Sequence, residues 1–217
     1  MRRQLRERAL LVRMRVMLKN KIAGLLIQSG MSYETPRLHR KGYFSELLAR
    51  DENISADLKQ LLLLHRQQSD RLEALEKSLV EQLKQDPLLA GRLEQLCTIR
   101  GVGEITALTW ALETGEPSRF PNARHAISYC GLCAAQRESA GSVKRGPLSK
   151  QRNRFLQTTL IETAHLAVHF NPALRALYER MCSVGPKNRA TLEVARRLVR
   201  YLLAVDRQYF APLSGAV

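Results

Sequence analysis

The sequence is poor in aromatic residues, in cysteine and in long apolar runs. Phe, Trp and Tyr make up 6% of the 217 residues, so the core has to be built mainly from Leu, Ala, Ile and Val, which suits helices better than sheets. Four cysteines are too few for a disulfide framework in a chain of this length, which agrees with a reducing compartment. No run approaches the roughly 18 apolar residues that span a bilayer, and no signal-peptide segment follows the charged N-terminus. We therefore expect a cytoplasmic protein without a membrane partner.

Acidic residues are scarce as well. Asp and Glu number 20 against 35 Lys and Arg, which leaves a formal net charge of +15 and a pI near 10.3. An excess of this size points to a polyanionic partner, either nucleic acid or an anionic membrane. The charge is about +9 over residues 1–50, about −3 over 51–95 and about +9 over 96–217. We interpret this pattern as two basic parts that face nucleic acid, joined by a spacer.

Apolar residues recur at three- and four-residue steps along much of the chain, which predicts helices. A basic helix is expected over 1–28 and a long helix over 53–85, where Leu residues keep close to a seven-residue pattern. The segment 31–50 is predicted to be irregular, and no run shows the alternation of a strand. Shorter helices are predicted near 90–97, 104–113, 122–130, 150–169, 171–182 and 188–207.

The predicted fold is therefore all-α, in three parts. A basic helical arm covers 1–50, a coiled-coil-like spacer covers 51–89, and a C-terminal helical domain covers 90–217. A helical hairpin packed on its own chain is an equal alternative to a coiled coil through 53–85.

Two glycines flank a hydrophobic residue in the segment Arg100-Gly101-Val102-Gly103. Followed by a helix, this arrangement is typical of the turn of a helix-hairpin-helix. Glycines let the backbone approach a phosphate closely, and the N–H groups at the start of the next helix can bind it. We therefore predict DNA contact, without sequence readout, through Arg100, Gly101 and Gly103. A plain tight turn between two helices is the alternative.

A second candidate site lies between Gly131 and Leu156, where Ser139 and Ser142 stand among basic residues. A serine hydroxyl can attack a phosphodiester only if the developing charge is neutralised and the hydroxyl is activated. Composition alone favours an exposed, flexible basic loop that merely binds phosphate. The basic residues, which we predict to contact DNA, are Arg137, Lys144, Arg145, Lys150, Arg152 and Arg154.

No metal site is predicted. Cys130 and Cys133 could join His165 and His169 as zinc ligands, but the gap of about thirty residues is longer than in a zinc finger, and core positions explain the cysteines better. Phosphoryl-transfer nucleases need two or more carboxylates that converge on Mg²⁺. The Asp residues lie on the spacer or at its ends, apart from an isolated Asp206, so we expect no acidic metal centre.

Several motifs, in order and spacing, resemble the insertion sequence family 110 transposases, the Piv-related recombinases guided by a bridge RNA. The resemblance covers residues 90 to about 205, and the basic helix 1–28 resembles the segment that follows this family's catalytic domain. The motifs are Thr-Ile-x-Gly-Val-Gly-x-x-Thr-Ala at 98–107, Phe120-Pro121, Ala126-x-x-Tyr129-x-Gly131-Leu132, a Ser-x-Gly site, and Leu148-Ser149-Lys150-x-x-Asn153-x-x-Leu156.

The resemblance implies a two-part enzyme for DNA transposition. In this family a RuvC-like domain binds Mg²⁺ through an Asp-Glu-Asp-Asp set, and the C-terminal domain supplies a serine that joins covalently to DNA. By position that serine is Ser139. The chain starts just after the place of the RuvC-like domain, so we expect it to lack that domain and to be inactive alone. The implied partners are DNA, a guide RNA and further copies of the chain, which we expect to associate through 53–85.

Some residues depart from the family pattern. Glu138-Ser139-Ala140-Gly141 stands where the family usually has Ser-Ser-Gly, and Arg152 replaces a usual Gly. These departures keep open a second interpretation, a non-catalytic DNA- or RNA-binding remnant of such a transposase. A third interpretation is a coiled-coil assembly protein whose charge only keeps it in solution.

Overall fold

The computed structural model describes residues 1–50, 54–139 and 142–214. Over these ranges the chain forms nine α-helices, one short 3₁₀-helix and one two-stranded sheet, so the all-α prediction is confirmed. The chain divides into two compact units. The N-terminal unit is Arg3–Gln82, and the C-terminal unit is Leu83–Val217 together with Met1–Arg2. None of the described helices is both long and apolar enough to cross a membrane.

Three helices build the N-terminal unit: α1 (Arg2–Gln28), α2 (Lys41–Arg50) and α3 (Ala56–Lys84). All three contribute to one apolar core, together with the connection between α1 and α2. Removing this apolar surface from water stabilises the unit, by roughly 1.5–3 kcal/mol for each large side chain. The core consists of Ile22, Leu26, Met31, Leu38, Phe44, Leu47, Leu48 and Leu62.

Helix α2 was not expected, because 31–50 was predicted to be irregular. Phe44, Leu47 and Leu48 stand three and four residues apart, and each is buried with 3% of its surface exposed. One face of a short helix is therefore covered by the core, and this packing outweighs the weak local helix signal.

Opposite charges face each other inside the N-terminal unit. Arg8 of α1 is 2.7 Å from Glu76 of α3, and Arg15 is 3.1 Å from Glu73 and 3.2 Å from Glu76. The hydrogen bond from Lys77, assisted by the charges of Lys77 and Arg15, holds the pKa of Glu73 below its ordinary value. Part of the basic charge of 1–28 is thus neutralised by α3 and is not available to a nucleic acid.

The C-terminal unit is built around its last helix. That helix, α9 (Lys187–Ser214), packs against four others and has Val194, Leu198 and Leu202 fully buried at four-residue steps. The preceding elements are α4 (Pro87–Cys97), α5 (Glu104–Thr114), a 3₁₀-helix (Pro117–Arg119), α6 (Ala123–Tyr129), β1 (Ala134–Ser139), β2 (Ser142–Leu148), α7 (Arg154–Phe170) and α8 (Pro172–Ser183). The helices that contact α9 are α4, α6, α7 and α8.

Two predictions for this unit were wrong. No strand was expected, yet β1 and β2 form an antiparallel hairpin between α6 and α7. The expected signal, apolar residues alternating with polar ones, is absent because the segment is rich in basic and small residues. Helix α7 was predicted to begin at 150 but begins at Arg154, because the side chain of Asn153 caps it by accepting the N–H groups of Phe155 and Leu156.

Candidate nucleic-acid interface

The predicted glycine turn joins α4 to α5 and rests on α7. Ile99 and Val102 are buried, and the Val102 N–H donates to the Ile99 carbonyl at 2.9 Å. Gly101 has a φ of +93°, and a Cβ placed there would lie 2.6 Å from the Cβ of Ala167. A side chain at this position would collide with α7, so only glycine allows the turn to sit this close. The Asn171 amide also donates to the Arg100 carbonyl at 3.3 Å.

The outer side of the same turn is open. Arg100 and Gly103 are exposed, and a Cβ on Gly103 would meet nothing within 4 Å. Gly103 is the N-cap of α5, and the first N–H groups of a helix have no partner within it. Glu104 places a carboxylate beside them, but Lys84 pairs with that carboxylate at 2.7 Å. The turn can therefore present backbone N–H groups and the Arg100 cation to an anion.

The segment predicted as a flexible basic loop is a β-hairpin in the structure. Its register pairs Ser139 with Ser142 at the end of the ladder, and Arg137 with Lys144 two positions away. Arg145 is paired with Gln136. The Ser139-x-Gly site runs on into residues 140–141, which lie outside the described residues. At the base of the hairpin the Ser149 N–H donates to the Cys133 carbonyl at 3.0 Å.

The remaining predicted contacts surround the start of α7. Lys150, Arg152 and Arg154 are all exposed, and α7 carries no acidic residue in its first turn. The Arg152 guanidinium donates to the Ser149 carbonyl at 3.0 Å, and its aliphatic stem lies against Gly131. Basic residues at a helix N-terminus oppose the helix dipole, so this cluster costs stability unless an anion binds beside it.

The two candidate contact regions lie at opposite ends of one helix. The glycine turn packs against Ala167 near the end of α7, whereas the hairpin leads into its start at Arg154. At 1.5 Å per residue these ends are about 20 Å apart along the helix axis. That distance corresponds to about six phosphates along one strand of duplex DNA. The structure therefore does not merge the two predicted regions into a single site.

A polar contact that the sequence did not predict connects the hairpin's exit to α5. The Asn153 amide donates to Glu113 Oε2 at 2.7 Å, and the Tyr129 hydroxyl donates to the Glu113 carbonyl at 2.9 Å. Glu113 is fully buried. Asn153 and Tyr129 both belong to the motifs of the resemblance, and their role here is to fix the start of α7. No sequence signal pointed to Glu113.

A second unpredicted feature is a buried ion pair. Arg92 of α4 donates two hydrogen bonds of 2.7 Å to Asp206 of α9, and the indole N–H of Trp110 donates to the same carboxylate at 2.9 Å. Arg92 also donates to the carbonyls of Ala111 and Gly115. Asp206, isolated in the sequence, therefore links α4, α5 and α9 and is not free to bind a metal.

The candidate zinc ligands, Cys130, Cys133, His165 and His169, do not form a cluster. Cys130 is fully buried, and this burial, with a smaller effect of Cys133, raises its pKa to about 12. A thiol that resists deprotonation is a poor metal ligand. His165 and His169 are exposed on α7. Among the residues whose positions are described, no three His, Cys, Asp or Glu side chains form a group that could hold a metal ion.

Comparison with known proteins connects this geometry to a family. The profile of the Transposase IS116/IS110/IS902 family matches residues 93–179, which include the glycine turn and the hairpin. A "Probable family 20 transposase" of Pseudomonas aeruginosa is 27% identical over 165 residues, which cover 75% of this chain and 49% of the relative. An "Insertion element IS110 uncharacterized 43.6 kDa protein" of Streptomyces coelicolor is 29% identical over 142 residues, which cover 65% of this chain and 33% of the relative.

A third relative bears a different name. The "Pilin gene-inverting protein" of Moraxella bovis is 28% identical over 144 residues, which cover 64% of this chain and 44% of the relative. The chain thus spans between about a third and a half of the length of these three relatives. The resemblance seen in the sequence is confirmed: the chain belongs to the IS110-type transposases, through a segment that matches the C-terminal part of that family.

Proposed function

We propose that this chain binds DNA and acts in transposition by site-specific strand cleavage and joining, with Ser139 as the nucleophile. The observation that carries the proposal is the hairpin register, in which the Ser139–Ser142 pair is followed two positions away by the Arg137–Lys144 pair. Positions two apart on a strand belong to one face of a sheet. The register therefore places a pair of serine positions and a pair of cationic positions two residues apart on one hairpin.

In the proposed reaction the Ser139 hydroxyl oxygen attacks the phosphorus. A serine–phosphate bond forms, a deoxyribose oxygen leaves, and a base takes the hydroxyl proton. The covalent link keeps the energy of the phosphodiester for the joining step. Arg137 and Lys144 would stabilise the charge that develops on the phosphate oxygens. Arg145 would add to the positive potential from the neighbouring register position.

The DNA contacts would be of two kinds, both to the backbone. The glycine turn would bind a phosphate through Arg100, Gly101 and Gly103, and the start of α7 would bind another through its exposed cations. Their separation of about 20 Å along the axis of α7 means that the two regions would bind different phosphates. The cations at the start of α7 are Lys150, Arg152 and Arg154.

Magnesium does not fit the described residues. The Asp206 carboxylate is occupied by Arg92 and Trp110, Asp70 pairs with Arg66, and Asp86 caps α4. We propose that the Mg²⁺-binding RuvC-like domain implied by the family has to be supplied alongside these residues before DNA is cut.

Self-association through α3 is part of the proposal. One face of α3 carries three exposed leucines, Leu61, Leu64 and Leu75, with 38%, 46% and 57% of their surface exposed. The same face continues at three- and four-residue steps through Leu72 and Leu79. A second copy of α3 would cover this face in the manner of a coiled coil. A guide RNA and a cytoplasmic location are proposed on the resemblance, the net charge of +15 and the four free cysteines.

Trapping of a covalent protein–DNA adduct on denaturing gels tests the nucleophile. The chain would be combined with the RuvC-like domain of a relative, Mg²⁺ and end-labelled DNA. We expect an adduct that Ser139→Ala abolishes and the matched Ser142→Ala retains, while both variants bind DNA like the wild type. The chain without the added domain should give none.

Other results of the adduct assay would point to a different nucleophile or to a different function. An adduct that survives Ser139→Ala but disappears in Ser142→Ala would show that Ser142 is the nucleophile. Salt-sensitive DNA binding with no adduct under any condition would favour the second candidate function, a non-catalytic nucleic-acid-binding remnant. The departures from the family pattern around Ser139 support that alternative.

A further inference from the structure

A groove of about 380 Å³ lies between α8 and α9, away from the glycine turn and the hairpin in sequence. This volume lies within the range of ordinary small-ligand pockets. One wall is apolar and formed by small or aliphatic side chains of α8, and the rest of the lining is cationic or aromatic. The lining residues are Ala173, Ala176, Leu177, Arg180, Arg197 and Tyr201.

The cations of this groove differ from three arginines of the C-terminal unit whose side chains are bound to other groups. Arg92, Arg196 and Arg207 donate to carboxylates or carbonyls. Within the described part of the chain, the guanidinium groups of Arg180 and Arg197 form no hydrogen bond or ion pair. Glu193, one turn before Arg197 on α9, is bound by Arg196 instead. Two unneutralised charges therefore border an apolar groove.

The lining restricts the chemistry of an occupant. An inorganic anion would use the two arginines but not the apolar wall, and an apolar peptide would use the wall but leave both cations unpaired. A nucleotide satisfies both, because its base is a flat ring that stacks on aromatic side chains and its phosphate binds guanidinium groups. Bases inside a duplex are already stacked on each other, so only an unpaired nucleotide offers its ring face.

We propose that the groove binds one unpaired nucleotide of a single-stranded nucleic acid, with the base on Tyr201 and the phosphate between Arg180 and Arg197. The inference rests on the proposed function in one respect, that nucleic acid is the partner. It adds a site for single strands at α8 and α9, distinct from the duplex-backbone contacts proposed above. Strand cleavage and joining expose unpaired nucleotides, and this groove would hold one of them.

Fluorescence anisotropy on the full chain tests the groove. The probes are a labelled oligothymidylate of about 15 nucleotides and a duplex of the same length. Tyr201→Leu should weaken single-strand binding about fivefold or more, since base stacking on an aromatic ring has at least that effect. Arg180→Gln with Arg197→Gln should weaken it at least tenfold, while duplex affinity changes much less.

The matched control removes the same charge elsewhere. Arg124→Gln with Arg200→Gln eliminates two exposed arginines outside the groove, and it should change single-strand affinity about twofold at most. As a second measurement, a photoreactive bromouridine in the oligonucleotide should crosslink to peptides of α8 or α9 in the wild-type chain. That measurement decides the question if a groove variant fails to fold.

Several results would overturn the proposal. Equal loss in the groove pair and the control pair would mean that only net charge matters. Unchanged single-strand binding in a folded Tyr201→Leu, or crosslinks confined to other elements, would remove the groove as a nucleotide site. A fall in oligomer mass without a change in binding would assign the groove to a second copy. If the chain binds neither probe at low salt, the proposed DNA function itself fails.

Discussion

Three glycines of the C-terminal unit allow backbone strain and steric overlap to be measured separately by substitution with alanine. At Gly103 φ is −95° and an added Cβ meets nothing within 4 Å. At Gly115 φ is +68° and the space is again open, so alanine there adds strain alone. At Gly101 φ is +93° and the added Cβ lies 2.6 Å from the Cβ and 2.7 Å from the Cα of Ala167.

The expected losses in the free energy of unfolding follow this order. Gly103→Ala should stay within about 1 kcal/mol, because a weaker N-cap is offset by a less flexible unfolded chain. Gly115→Ala should cost about 1–3 kcal/mol, because its φ of +68° with a ψ of −133° is a backbone conformation that alanine rarely adopts. Gly101→Ala adds overlap with the α7 backbone, typically about 1–3 kcal/mol, to the strain of its own positive φ, so its total should reach about 2–6 kcal/mol.

Urea unfolding followed by tryptophan fluorescence suits this measurement. The single tryptophan, Trp110, is fully buried in the C-terminal unit and therefore reports on that unit. If Gly101→Ala costs no more than Gly115→Ala, the turn does not rest on Ala167 and the reasoning is refuted. Gly103→Ala also bears on DNA contact: a stable variant with unchanged DNA affinity would argue against a phosphate that approaches Gly103 closely.

Three other predictions follow from the charges and apolar faces. Asp206→Asn should lower the free energy of unfolding by about 3–5 kcal/mol, because it leaves the buried Arg92 guanidinium without its counter-charge. The double variant Arg92→Leu with Asp206→Leu should lower it clearly less, and equal losses in urea unfolding would contradict this reasoning. DNA affinity should fall about 10³- to 10⁵-fold between roughly 50 and 200 mM salt if six to ten phosphates are contacted, and a salt-independent affinity would exclude backbone binding. Leu61→Lys with Leu75→Lys should yield a folded monomer by light scattering, and a wild-type chain that is monomeric at high concentration would rule out association through α3.

The parts of the fold that could be predicted are those in which local pattern and packing agree. Helices α1, α3, α5 and α6 have apolar residues at helical spacing along their own length, and their ends were predicted within a few residues. The predicted division at 50 and 89 stays a prediction, as do the coiled coil and every assigned site residue. The motif order, by contrast, was enough to identify the family.

What could not be predicted depends on contacts between distant parts of the chain. Arg92 and Asp206 are 114 residues apart, and nothing near either residue indicates the other. The hairpin is held by pairing between its strands, so its residues need no alternating apolar pattern. Asn153 shows the intermediate case: its place in a motif was visible, but its double role, as cap of α7 and partner of Glu113, needed coordinates.

The hairpin also has a mechanical consequence. Its six-residue strand β1 extends about 20 Å from the Cys133–Ser149 contact at its base to Ser139 at its tip. A structure of that length acts as a lever, so that a rotation of about 10° at the base moves the tip by about 3–4 Å. A displacement of about 1 Å at a reacting group can lower a rate about 100-fold. The contact of Arg152 with Ser149 at the base of the hairpin would therefore influence the position of the proposed nucleophile by fixing the angle of the hairpin, without contacting that residue.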